Sequence, residues 1–336
     1  VTLPNRAKID SSPFMSIFYV TVTTKDYLVR AWALYRSFQR VAETGRFMIF
    51  CLDGESREAL INLGFPKQDI LMADDYVTKE VLDARSRMLF REYCMLFKSI
   101  CVEAVFDSQK DVDWCVNIDA DMMFFHDPAC VFEREKNAKV LLTHHRYSPQ
   151  MKKWGETAGW HNGGFMAFRK SQTARDVLRY WLSECLKRPP YNDRKNETFN
   201  QKIVDSFPNE FPDVVTIPDK GVNTGPWDID NYTVGHDGNM LMLSDEPLYI
   251  YHYQGMRFHT FGLIDVYSGE RKERPEVIRH IYRPYCHTLR RAQRELSGVL
   301  ASGRGLYSPL FSDLSIIRWH LRRIVEGRSN LVVALW

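Results

Sequence analysis

The segment WCVNIDADMMFFHDP, from Trp114 to Pro128, sets two carboxylates, Asp119 and Asp121, one residue apart within an otherwise apolar run. Val116 and Ile118 before the acids, and Met122 to Phe125 after them, predict a buried strand that ends in a turn. A carboxylate excluded from water is costly unless something pairs with it, so two together call for a shared proton, basic partners or a metal ion. Residues i and i+2 of an extended strand point to one side, which brings both oxygen groups to one point. Hard oxygen donors so placed suit Mg²⁺ or Mn²⁺, above all where phosphates complete the shell. The competing reading is a strand-end turn capped by Asp119, with Asp121 solvated.

The elements that must position this pair alternate strand and helix from Met15 onward. SIFYVTVTT reads as a central strand and LVRAWALYRSFQRV as a helix with apolar residues at helical spacing. RFMIFCLD is a second strand, SREALINLG a helix stopping at Gly64, and KQDILMA a short third strand. This right-handed β-α-β start predicts an α/β fold with a mostly parallel sheet flanked by helices and ligands beyond the strands' carboxyl ends. The helix FREYCMLFKSICVEAVF leads into the acid-pair strand. AKVLLTHH follows as a strand, HNGGFMAFRK as a turn and strand, SQTARDVLRYWLSECLKR as a helix capped by Ser171, and LYIYHYQGMRF as a late strand ending in a turn.

Composition narrows the function classes. The 336 residues are 45% hydrophobic and 13% aromatic, enough for one large core or two modest ones. With 45 Lys+Arg against 42 Asp+Glu the net charge is +3, which argues against bulk nucleic-acid binding. No apolar run approaches the roughly 20 residues of a spanning helix. The seven cysteines form no C-x-x-C pair and sit in apolar contexts, so they read as buried thiols of a reducing, cytoplasmic compartment. Residues 1–14 are polar and aperiodic and are expected to be a leader; 15–278 form a catalytic domain and 279–336 a basic helical tail. In that tail Leu314, Ile317, Leu321 and Ile324 make an apolar face ringed by Arg318, Arg322, Arg323 and Arg328, suited to peripheral contact with an anionic bilayer or to packing on the main domain.

In this order, NIDADMMFF, HNGGFMAF, NQKIVDSFP and YHYQGMR resemble the landmarks of GT-A glycosyltransferases. The resemblance is to bacterial nucleotide-diphospho-sugar transferases of polysaccharide gene clusters, with GPWDIDNY at Gly225 to Tyr232 echoing their APWN segment. A more distant resemblance is to the retaining glycogenin-like and galactosyltransferase family. It implies a nucleotide-sugar donor, UDP-linked by preference, and a glycan or lipid-linked hydroxyl acceptor. It also implies that Asp119, Asp121 and His252 hold Mn²⁺ or Mg²⁺, with Ala120 between the acids and Gly255 in the late turn. Arg257 lies where that family has a lysine near the phosphates, and a planar fork suits a diphosphate. Asn162 is expected to bond sugar hydroxyls, while Gly163 and Gly164 admit the donor close to the backbone. Trp160, His161 and Trp227 are candidate acceptor platforms. On the helix before the acids, Arg91 and Lys98 share a face and one of them is expected to reach the donor. Thr21, Thr23 and Tyr27, at the end of the first strand, are expected to line the base.

At the reacting centre, Gln201 matches the residue proposed to face the anomeric carbon, and Asn200 stands where the resembled family has an acid. Neither amide is a good base, so front-face retention fits better than inversion, for which Glu197, Asp205 and Asp228 are the nearby carboxylates. Two other readings stay open: a sugar-1-phosphate nucleotidyltransferase, which TVTTKDYLVRA disfavours by containing no glycine, and a catalytically silent glycan-binding relative, which Asn200 favours.

Overall fold

The computed structural model describes residues 15–43, 45–188, 201–259, 263–266, 271–300, 307–308, 314–327 and 329–333. The expected leader and Asn200 lie outside the described residues. The first strand, β1 (Ile17–Thr23), is buried on both faces: Ile17 and Tyr19 join one apolar layer, Phe18 and Val20 the other. Such two-sided burial selects a continuous β-branched and aromatic run over an alternating one. Helix α1 (Leu28–Val41) crosses to β2 (Arg46–Cys51), and α2 (Gly54–Asn62), N-capped by Asp53 through Ser56 N, leads to β3 (Ile70–Met72).

Helix α3 (Lys79–Ala84) precedes α4 (Phe90–Ser108), whose first turn is closed by Glu92 Oε2 accepting from Leu89 N at 3.1 Å. Then come β4 (Trp114–Ile118), β5 (Met122–Phe124), β6 (Val140–His144), β7 (His161–Arg169), β8 (Val214–Ile217) and β9 (Val222–Thr224). The main sheet runs β3-β2-β1-β4-β7-β6-β8, parallel except for β7, which is antiparallel to both neighbours. A second sheet orders β5, the strand Ile250–His252 and β9.

Two expectations change. The acid pair does not ride one strand: β4 stops at Ile118, β5 starts at Met122 in the other sheet, and Asp119–Asp121 is the break between them. HNGGFMAFR is strand throughout, with a register shift opposite Leu142 and Thr143 in place of the expected turn. The boundary at residue 279 falls inside one helical run, Pro275–Val277, Ile278–Tyr282 and Arg283–Ser297, whose buried Tyr282, Tyr285 and Leu289 belong to the main core. Each such side chain contributes about 1.5–3 kcal/mol by burial. Further on, the helix Leu314–Val325 turns His320 and Arg323 inward, Arg323 pairing with Asp265 at 2.9 Å, and leaves Leu321, Ile324 and Val325 exposed. Among the described residues no helix is long and apolar enough to cross a membrane.

Candidate active site

Two sheets meet at the acid pair. Asp119 N donates to Gly164 O of β7 at 2.8 Å, and Tyr253 N donates to Asp121 O at 2.8 Å. The strand Ile250–His252 pairs antiparallel with β5 so that His252 faces Met122, the residue after Asp121. His252 Nε2 thereby lies 3.3 Å from Asp121 Oδ1 and 3.9 Å from Asp119 Oδ2. One ligand atom from each of the three residues falls within 4.8 Å of the others.

A chain of hydrogen bonds fixes what that imidazole presents. Gly164 N can only donate, and it donates to Asn162 Oδ1 at 2.7 Å. The same oxygen accepts from Asn223 Nδ2 at 3.0 Å, so Asn223 Oδ1 is left to accept the proton on His252 Nδ1 at 3.1 Å. Nε2 then faces two carboxylates, a position where either a ring proton or a metal cation must lie between the nitrogen and the oxygens. Burial pushes the Asp121 carboxyl up, but the attraction of a cationic group at His252 Nε2 (a ring proton where no metal is bound), their hydrogen bond and Arg30 outweigh burial and hold it at about 2. Two carboxylate oxygens and an imidazole nitrogen fit a divalent ion, and Mn²⁺ accepts nitrogen more readily than Mg²⁺. Gly164 is required beneath the ring, because a Cβ there would lie 2.6 Å from His252 Cε1 and Nδ1.

Asn162 also turns its Nδ2 to His145 Nε2 at 2.9 Å, where Gln201 Nε2 approaches to 3.2 Å. His145 is thus the Nδ1–H tautomer, and burial first, then the nearby His252, push its pKa down to about 3. Gln201 Nε2 also donates to Ala158 O at 2.8 Å. Lys98 Nζ sits 2.5 Å from Asp119 Oδ1 and donates to Gly163 O at 3.1 Å.

These groups line one open cavity of about 1290 Å³. It gathers Thr21, Thr23 and Tyr27 from the end of β1, Arg91 and Lys98 from α4, and Asp119, Ala120 and Asp121 from the break. Asn162, Gln201, Trp227, His252, Gly255 and Arg257 complete the expected residues along its wall. Thr21 Oγ1 is buried without a hydrogen-bond partner, and Arg30 stands over the Tyr27 ring at 4.7 Å. Gly255 turns the chain at φ 81°, a conformation glycine adopts without strain. Trp227 meets His145 and His252 edge-on, each at 5.2 Å.

Gly163 and Gly164 form the strand behind the wall, and Trp160 and His161 are not among the lining side chains. His161 commits Nδ1 to Asp205 and Nε2 to Thr216, each at 2.9 Å, so its ring is structural. Asp205 is equally committed, accepting from Trp160 N and His161 N as well. Asp228 is fully buried between Gly225 N and Arg146 Nε. Glu197 lies outside the described residues.

The sequence reading missed Asn223 and His145. Asn223 has φ 58° inside GVNTGPWD, a left-handed position that favours Asn, and His145 is a buried polar ring in the residue just after β6.

This constellation at the carboxyl edge of a Rossmann-like sheet is that of a GT-A fold glycosyltransferase. Residues 42–217 match the family model described as nucleotide-diphospho-sugar transferase, over half of the chain, and the chain belongs to that family. Two Bacillus subtilis (strain 168) proteins are similar to it. YfnD, an uncharacterized protein, is 26% identical over 280 residues, covering 82% of this chain and 90% of that one. YfnF, also uncharacterized, is 26% identical over 271 residues, covering 78% and 89%. Among solved structures, the galactosyltransferase LgtC in complex with donor and acceptor sugar analogs shares the fold. It has TM-score 0.50 at 14% identity, with 85% of this chain and 96% of that one covered. The apo-form glycosyltransferase GlyE of Streptococcus pneumoniae TIGR4 gives TM-score 0.50 at 13% identity, with 85% and 62% covered.

Proposed function

We propose that the protein transfers a hexosyl group from a UDP-sugar to a hydroxyl of a glycan or lipid-linked acceptor, with retention, in bacterial surface polysaccharide synthesis. The observation that carries this reading is the hydrogen-bond chain aiming His252 Nε2 at Asp121 inside the cavity. Asp119, Asp121 and His252 hold Mn²⁺ or Mg²⁺, which when bound neutralises the diphosphate and stabilises its departure. Lys98, Arg91 and Arg257 add cationic donors to the same phosphates, a charge-assisted contact stronger than a neutral one. Thr21, Thr23 and Tyr27 bind the base, with the Thr21 hydroxyl available to it.

Asn162 and Gln201 orient the sugar, held in place by Gly164 N and Ala158 O respectively. Among the described residues no carboxylate faces Gln201: Asp205 and Asp228 are consumed by the fold, and His145 Nε2 already accepts two amide contacts. Front-face attack of the acceptor hydroxyl on C1 as the C1–phosphate bond breaks, with the hydroxyl proton passing to the departing phosphate oxygen, needs no such base and gives retention. Trp227 and Trp160 remain acceptor candidates; His161 acts by holding the start of β7. Peripheral contact with the inner membrane face falls to the exposed Leu321, Ile324 and Val325, and co-sedimentation with anionic vesicles checks it.

The test is incubation with UDP-glucose, UDP-galactose and UDP-N-acetylglucosamine plus Mn²⁺, following the released sugar's anomeric proton by NMR. Newly released α-sugar from an α-donor is expected. Initial release of β-sugar would overturn retention, and preserved UDP binding without release from any donor would favour the silent relative.

A further inference from the structure

We propose that Trp154 is the stacking platform for a saccharide acceptor, so that the acceptor class is a pyranose presenting an apolar C–H face. The inference rests on the donor assignment above. Large apolar side chains more than a third exposed are few among the described residues, and three of them line the active cavity: Tyr27, Phe90 and Trp154. Their positions divide them. Tyr27 follows β1 on the nucleotide side, and Phe90 begins α4 with the Arg85 guanidinium over its ring at 5.0 Å. Trp154 lies in the connection between β6 and β7, the segment whose Ala158 carbonyl accepts from Gln201 Nε2.

That connection holds the indole at a fixed offset from the reacting centre. Its last helical residue, Ala158, accepts from Gln201 Nε2, and Tyr147 Oη donates to Gly159 O at 3.1 Å. Gly155, immediately after Trp154, admits the Trp160 ring so closely that a Cβ would lie 2.6 Å from it. Trp154 is therefore carried by a segment braced at both ends, yet the indole itself is 41% exposed.

An exposed indole beside a reacting centre favours a ligand that is flat and apolar on one face and polar at its edge. A pyranose has that shape: axial C–H groups pack on the ring while hydroxyls reach the flank. The flank here is polar, with Lys152 and Glu156 exposed, Lys153 Nζ over the indole at 5.7 Å on one face, and Thr157, whose hydroxyl donates to Trp154 O at 3.4 Å, in the cavity wall. An acyl chain would want a continuous apolar track, which one indole in a charged rim does not provide.

The probe set is methyl β-D-glucoside, methyl β-D-galactoside, methyl α-D-mannoside and methyl α-L-rhamnoside. Each is titrated into the full chain with Mn²⁺ and UDP present, read by saturation-transfer NMR, with UDP affinity measured separately by calorimetry. The wild type is expected to saturate the ring protons of at least one glycoside, with Trp154→Phe retaining binding. Trp154→Leu, which keeps bulk without a flat face, and Trp154→Ala are expected to weaken it about tenfold while UDP affinity stays constant. No saturation of any glycoside in the wild type, or equal binding in Trp154→Leu, would overturn the platform. Absence of UDP binding in the wild type would overturn the donor assignment itself, a failure the calorimetry identifies separately.

Discussion

Asn223 does at residue scale what neither acid could do alone. By taking the Nδ1 proton of His252 it leaves the Nε2 lone pair facing Asp121, and it is itself oriented by Asn162 and ultimately by the backbone N–H of Gly164. Partners of metal-binding histidines typically change affinity by about 10–100-fold when removed, and Asn223→Ala is expected to lower Mn²⁺ affinity by that amount. The check is Mn²⁺ titration of UDP binding, with circular dichroism confirming an intact fold; unchanged affinity would show that the tautomer is set otherwise. Asp119 and Asp121 were legible in the sequence as two acids in an apolar strand context, while His252 came only from the family resemblance, whose late H-x-x-G turn falls on it; the structure brings the three together. Asn223 was not, since nothing local couples GVNTG to YHYQG: the contact exists because β9 and Ile250–His252 are neighbours in the second sheet.

At the scale of elements, the short helix Gln201–Val204 is tied to the start of β7 through Asp205, which accepts from two consecutive backbone N–H groups and the His161 ring. Those bonds outweigh the burial that would raise the Asp205 carboxyl and lower its pKa instead. Asp205 is thus a positioning residue for Gln201, and a misplacement of about 1 Å at a reacting centre costs on the order of a hundredfold in rate. Asp205→Asn is expected to reduce donor turnover by about that factor with UDP affinity unchanged; equal losses in both would mean a collapsed cavity.

The strands and helices themselves were well anticipated, down to α1 over Leu28–Val41 and the Ser171 cap accepting from Ala174 N, because their signals are local periodicity and capping. The break at Asp119–Asp121 was not, since the apolar residues on its two sides serve different sheets and read as one run. The strand through Gly163 and Gly164 was missed for the opposite reason: Asn-Gly-Gly signals a turn, whereas here the missing Cβ of Gly164 makes room for His252.

For the whole molecule, the buried Asp228 links stability to pH. Burial raises its carboxyl to about 7 against the pull of Arg146 and Gly225 N. In the unfolded chain an aspartate ionises near pH 4, at about 3.9. Between that value and about 7 the folded state therefore holds the extra proton, so this group makes stability fall as pH rises through the window. Its contribution is at most about 1.4 kcal/mol per pH unit. Thermal melts of metal-free protein at pH 4.5 to 7.5 check it: Asp228→Asn is expected to flatten the slope, and an unaltered slope would remove Asp228 as its source. The late helical run through Tyr285 packs into the same core as β1.

The central claim is that a divalent ion and a nucleoside diphosphate complete the acid pair. Its most direct test is calorimetric titration of UDP with and without Mn²⁺ into the wild type, Asp121→Asn and His252→Ala. The account predicts that UDP binds the wild type tightly only with Mn²⁺ and that both variants lose the metal-dependent part. Binding that ignores Mn²⁺, or that survives intact in Asp121→Asn, would contradict it.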